Sequence, residues 1–490
     1  MMTAKSLGIR PRLGDSAGMT RTLFFAALAA ALFTGSAHAQ DAEAAPVAHV
    51  AIRKDGDDWS ARYRFDAEAP AWLFTRSALA LETEAPWRPE QFELLTPGVT
   101  LERRGFYDVL MAEDGSMPET VDVRLTPLST NLLADYDPAL TFSDGAIALF
   151  TAHFEVMPLV SAAIAETLPS DIDASGLESG PTEVTLSDAA GPVLAHGERH
   201  EVAELSEHTY VLFGAGEAVE TDAVASLIDP GLPAWMGDEL NALTPRMLAY
   251  YQERLGPKAG ERPTVMVAWR GPTPSFRSMG GSVLTGMVVM SFEGDAILTP
   301  DRETLNAARW FIGHESAHFW LGQTIHHALA RDSWISEGGA DLMAIRASRV
   351  VDPQYDDHSI LQSAVDDCVA LADQPIAEAG DRNEHRANYA CGSLFYLAAE
   401  GAARQTDPTA DVFTVLKPLI DAHRDADPAV DIQDWLAWFT PIAGEEAAGI
   451  ISALVETGSS DPAADLARLF DLTGVEHGLG EGGRLMLAAS

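Results

Sequence analysis

His314 and His318 stand four residues apart with Glu315 beside the first, and Glu337 follows after a further eighteen residues. On a helix this spacing puts both imidazoles on one face, where they can share one metal ion. Glu337, arriving from a separate segment, supplies a third ligand and leaves the fourth tetrahedral position open for water or substrate. One zinc ion per chain held this way lowers the pKa of its water to about 7 and polarises a carbonyl. Glu315 is placed to take the proton from that water and return it to a leaving amine. Asp341, one turn beyond Glu337, either orients a ligating imidazole or is a solvated helix carboxylate. An isolated H-E-x-x-H also fits two histidines satisfied in a core. The spacing to Glu337, within Trp334-Ile335-Ser336-Glu337-Gly338-Gly339-Ala340-Asp341, favours the metal.

The elements that must position these groups follow from periodicity. Residues 305–321 are apolar at helical spacing and carry both histidines, and 337–350 and 388–403 read as two further helices. Gly338 and Gly339 predict close packing of the second helix against the first. Residues 240–255 form another helix, ending at Gly256-Pro257, and 263–269 and 283–292 read as buried strands. Before them, Trp59, Ala61, Tyr63 and Phe65 alternate with polar neighbours, and short runs at 121–128, 146–154 and 202–213 are punctuated by turn residues. A helical excursion is expected near 158–168 and another helix at 445–456. The sequence thus divides into a β-rich domain (47–235), a catalytic domain (236–456) and a C-terminal tail (457–490), an α+β arrangement.

Composition narrows the function. The 490 residues carry 73 Asp and Glu against 32 Lys and Arg, a net charge of −41. A surface this acidic repels phosphate backbones and anionic lipid heads, so nucleic acid is not expected as a partner. Residues 19–39 combine a basic start, an apolar run at 23–33 and an Ala-x-Ala exit. These are the parts of a secretory leader, and the run is too short for a membrane span. Cleavage is expected after Ala39, with Met19 a possible start and 40–46 a linker. No other segment approaches membrane-spanning length, and the mature protein is expected to be periplasmic or secreted. The only cysteines, Cys368 and Cys391, are then either one disulfide, worth about 2–4 kcal/mol, or two buried thiols.

The whole pattern resembles the gluzincin zinc peptidases, specifically the alanyl aminopeptidase family. Trp320 and Gly322 match that family's continuation after the second histidine. Tyr389-Ala390-Cys391-Gly392 resembles its Y-x-x-G segment, whose tyrosine hydrogen-bonds the tetrahedral oxyanion, and Asp434-Trp435 fits a later helix. The resemblance implies a thermolysin-like, mainly helical catalytic domain behind an antiparallel β domain. It also implies a peptide or protein substrate contacted at Gly280 and Gly281.

Two departures stand out. In Met279-Gly280-Gly281-Ser282-Val283-Leu284, Val283 occupies the place of the family's amine-binding glutamate, with Glu293 the nearest acid that could replace it. The second departure is length, and the large helical C-terminal domain of many members is not expected within these 490 residues. The expectation is therefore an exported zinc metallopeptidase without assured preference for free N-termini. The alternatives are a zinc-binding scaffold and a zinc hydrolase acting on a non-peptide bond.

Overall fold

The computed structural model describes residues 45–133, 135–220, 224–260, 262–284 and 286–488. The expected leader and most of the linker at 40–46 lie outside the described residues. From Ala44 onward the chain packs as one compact unit.

Alternation in Asp58–Phe65 buries Trp59, Ala61, Tyr63 and Phe65 on one face. This strand pairs antiparallel with Ala48–Asp55 and Thr120–Leu125 in a six-stranded sheet. One pair in that sheet, Ala48–Asp55 with Thr182–Asp188, is parallel. A four-stranded and a five-stranded sheet complete the N-terminal part. The helical excursion is a 3-10 turn at Ala162–Thr167. Leu140, Phe150 and Leu212 of the five-stranded sheet pack against Leu227, Met266 and Val289 of the sheet that follows.

That following sheet is mixed. Ala225–Ile228, Thr264–Trp269 and Met287–Glu293 run parallel, and Ser278–Leu284 closes one edge antiparallel to Met287–Glu293. The single strand expected at 283–292 is thus a hairpin. Gly280 and Gly281 weakened the strand signal of its first arm, and Gly286, with φ +68°, makes the turn between the two arms.

Helix Arg302–Ala317 packs against the edge strand of this sheet, helices Ala234–Leu255 and Ser333–Val351 pack against that helix, and Arg386–Arg404 and then Asp357–Leu371 follow outward. The histidine helix, Arg302–Ala317, is capped by the Asp301 side chain on Thr304 N–H and ends at His318, shorter than expected. Gly338 and Gly339 lie inside the glutamate helix, Ser333–Val351. The close contact that Gly338 permits is with Gly392 of the tyrosine helix, Arg386–Arg404, rather than with the histidine helix. A Cβ on either glycine would overlap the other backbone. The last 30 residues include a helix, Pro462–Thr473, that buries Leu466, Leu469 and Phe470 in the core of the helical part. Among the described residues, no helix is long and apolar enough to cross a membrane.

Candidate metal centre and its surroundings

The last turn of the histidine helix and the second turn of the glutamate helix bring His314, His318 and Glu337 together. The two Nε2 atoms are 3.0 Å apart, and Glu337 Oε2 lies 3.2 Å from one and 3.4 Å from the other. A tetrahedral zinc with bonds of about 2.0–2.1 Å has ligand–ligand edges of about 3.3 Å. Proton placement points the same way. His318 Nδ1 lies 2.8 Å from Leu321 O and must donate to it. His314 Nδ1 lies 2.9 Å from Asp341 Oδ1, a separation two acceptors do not tolerate, so it carries the proton despite imperfect alignment. Both Nε2 atoms therefore face each other and a carboxylate oxygen, an arrangement that a proton on His314 or a shared metal cation relieves. The residues fit zinc.

Burial would lower the His314 and raise the Glu337 pKa. Their mutual attraction, joined by Asp341 and His318, reverses both, holding His314 well above and Glu337 well below its usual range. Glu315 is only 4 % exposed, and burial raises its pKa against the pull of His314 and His318. The Tyr389 ring stacks on His314 with centroids 5.6 Å apart. Its hydroxyl is kept protonated by Glu337 first, then by burial and Glu315. Cys391, two residues on, is bonded to Cys368 across two helices.

The hairpin's edge strand runs along this centre. A Cβ on Gly281 would overlap the Glu315 carboxyl, so only glycine lets the strand approach so closely. Val283 gives no charge, and its carbonyl accepts the Tyr136 hydroxyl at 3.0 Å. Glu293 does not replace the absent carboxylate. It pairs with Ser278 at the far end of the hairpin, whereas Val283 pairs with Val288, and it accepts from Thr273 Oγ1.

Sequence reasoning missed several neighbours. Tyr136 reaches the edge strand from 147 residues away, a separation that no local pattern signals. Arg386, 3.8 Å from Asp341, stands three residues before Tyr389, and that helical spacing was a readable signal. Gln323 closes the hairpin turn by donating to Leu284 O.

No protein-family model matches this sequence, and no curated protein matches it by sequence. Solved structures do match its fold. The aminopeptidase N family protein of Idiomarina loihiensis superposes with a TM-score of 0.58 at 11% identity, over 86% of this chain and 78% of that one. Leukotriene A4 hydrolase of Saccharomyces cerevisiae gives a TM-score of 0.50 at 12% identity, over 86% and 68%. The chain shares the fold of these two structures, an N-terminal β domain followed by a mixed, largely helical domain.

Proposed function

We propose that this chain is an exported, zinc-dependent peptidase that hydrolyses peptide bonds without the strand carboxylate that would hold a free amine. One observation carries the reading. Three ligand atoms with edges of 3.0–3.4 Å are joined by Glu315 and Tyr389, two groups that a purely structural metal site does not need. Zinc, when bound, polarises the scissile carbonyl and acidifies water. Glu315, desolvated and one residue from a ligand, takes the proton from the attacking water and passes it to the leaving nitrogen. Tyr389, protonated and stacked on His314, donates to the developing oxyanion. Gly281 holds the edge strand against Glu315, so an extended substrate lies within reach of both.

Metal analysis of purified protein should find one zinc per chain. Glu315→Gln should keep that zinc and lose hydrolysis of a mixed peptide library. A metal-free wild type, or unaltered cleavage by Glu315→Gln, would sink the proposal. Because position 283 is apolar, N-acetylated peptides should be cleaved at least as well as their free counterparts.

A further inference from the structure

The tyrosine helix, Arg386–Arg404, is tied twice to its neighbour Asp357–Leu371 within a short span. Cys391 is bonded to Cys368, and Arg386 Nε donates to Asp367 Oδ2 at 2.8 Å. Adjacent residues of one helix thus grip the first two turns of the other. Cys391 follows Tyr389 by two residues, about 200° around a helix of 3.6 residues per turn, so the covalent tie sits behind the tyrosine. Arg386 stands three residues before Tyr389 and on its side of the helix. From there its Nη1 lies 3.8 Å from Asp341 Oδ2. Asp341 is 4 % exposed and divides its oxygens, Oδ1 lying 2.9 Å from His314 Nδ1 and Oδ2 facing Arg386. Among the described residues no other arginine or lysine comes within ion-pair distance of it. The bracing helix is itself held by the C-terminal strand, where Gln362 donates to Leu485 O and accepts from Leu487 N–H.

These contacts form one path from the disulfide to a metal ligand. A divalent ion offsets two of the three carboxylates gathered here, Glu315, Glu337 and Asp341, and the Arg386 guanidinium offsets the third. A buried carboxylate with a fixed cation on one oxygen presents the other in one orientation, and a metal-binding imidazole depends on that orientation. Arg386 does not hold its place alone, because it is a long side chain with part of its surface in water. Asp367 fixes its Nε edge, and the bond at the next residue, Cys368, fixes Asp367 against the tyrosine helix. We propose that Arg386 is a positioning residue of the metal centre and that the Cys368–Cys391 bond sets it, so that the site reaches full affinity for zinc only after the disulfide has formed. The proposal rests on the zinc reading of the site and not on the choice of substrate. Closing the bond takes two protons and two electrons from the thiols and passes them to a disulfide oxidant, which leaves as a dithiol. A chain still in a reducing compartment then carries a weaker metal centre than the same chain after oxidation. Both cysteines are fully buried, so a reductant in solution does not reach the folded bond, and substitution is the way to remove it.

The test measures zinc affinity of the full chain by chelator competition, at a temperature where circular dichroism shows each variant folded. Wild type is compared with Cys368→Ala/Cys391→Ala, with Arg386→Gln and with all three changes combined. The cysteine pair and Arg386→Gln should each weaken zinc binding about tenfold, the lower end of what a partner of a ligating imidazole contributes. The combined variant should bind no more weakly than either, because the changes act through one contact. Arg386→Lys, which keeps the charge, should recover most of the loss. Equal zinc affinity in wild type and the cysteine variant, whatever the change in melting temperature, would overturn the proposal and leave the bond a structural staple. Losses that multiply in the combined variant would break the link between disulfide and arginine, and Arg386→Lys as weak as Arg386→Gln would refute the role of charge. If the cysteine variant fails to fold, Asp367→Asn keeps the disulfide and should reproduce the Arg386→Gln loss, and full affinity there would overturn the path. A wild type that binds no zinc would defeat the zinc reading itself, a result distinct from equal affinities.

Discussion

At the residue scale the centre is a set of proton assignments. Each imidazole donates from Nδ1, His314 toward Asp341 and His318 to Leu321 O, and this frees both Nε2 atoms for a cation. Asp341→Asn should therefore weaken zinc affinity about 10–100-fold. Chelator competition would measure it, and an unchanged constant would make Asp341 a bystander. Tyr389→Phe should lower kcat about 10²–10³-fold, the usual cost of one oxyanion donor, with zinc content and KM nearly unchanged. A fall in zinc content instead would assign Tyr389 to holding the site. That His314, His318 and Glu337 come together, with Glu315 beside them, was legible in the sequence because it depends on local spacing. Asp341 was ambiguous until its distance to His314 was fixed. Asp137, which reaches Arg270 from 133 residues away, was not legible at all.

At the element scale three helices set the geometry, and their contact depends on what is missing from side chains. Gly338 meets Gly392 backbone to backbone, so the glutamate and tyrosine helices approach more closely than any Cβ allows. Gly392→Ala should destabilise the protein by about 1–3 kcal/mol and reduce activity, because it pushes Tyr389 and Glu337 apart. Denaturation midpoints together with kcat would show it, and an unchanged midpoint would refute the close contact. The Cys368–Cys391 bond ties the tyrosine helix to Asp357–Leu371. Replacing both cysteines with serine should cost about 2–4 kcal/mol, and a thermal melt unmoved by the change would contradict it. Helix positions were readable from their period, but helix partners were not. Gly339 does abut Leu321 of the segment expected to carry the histidines, but Gly338 was assigned there too, because sequence shows that a side chain is absent without showing what fills the gap. The edge strand was missed for a related reason, since two glycines remove the alternation that marks a strand.

At the scale of the whole molecule, the N-terminal sheets meet the mixed sheet that follows through residues 131–133 and 135–137. Arg270 donates to Asn131 and Asp137, and Tyr136 donates to the edge strand. His153 supports this segment by donating to Tyr136 O, and it is fully buried. Burial lowers its pKa to about 4, so the folded protein keeps it neutral. Between about pH 6.5 and 4 the unfolded chain binds a proton that the folded one refuses, so stability falls as pH falls, by roughly 3 kcal/mol at most. Asp137 opposes this in part. Burial raises it to about 6, and its contribution grows as pH falls from 6 toward the unfolded carboxylate value. His153→Gln should therefore be less stable than wild type at pH 7, with the gap narrowing by pH 5. Urea melts at the two values would decide, and a constant gap would refute the assignment. The acidic composition gave no hint of this dependence, which comes from one enclosed imidazole rather than from net charge.

The edge strand Ser278–Leu284 is paired on one side only, and its Val283 end is covered by Tyr136. A strand with a free side recognises a partner by its main chain, and it can do so only when that partner is already straight. Helices, tight turns and packed domains present no such run of backbone. Cleavage of a folded protein would then be governed by how often the victim opens, and its rate would follow the victim's own unfolding equilibrium rather than its composition. The sheet's unfinished side would in that way make the enzyme a reader of conformation, quick on loosened chains and idle on intact ones.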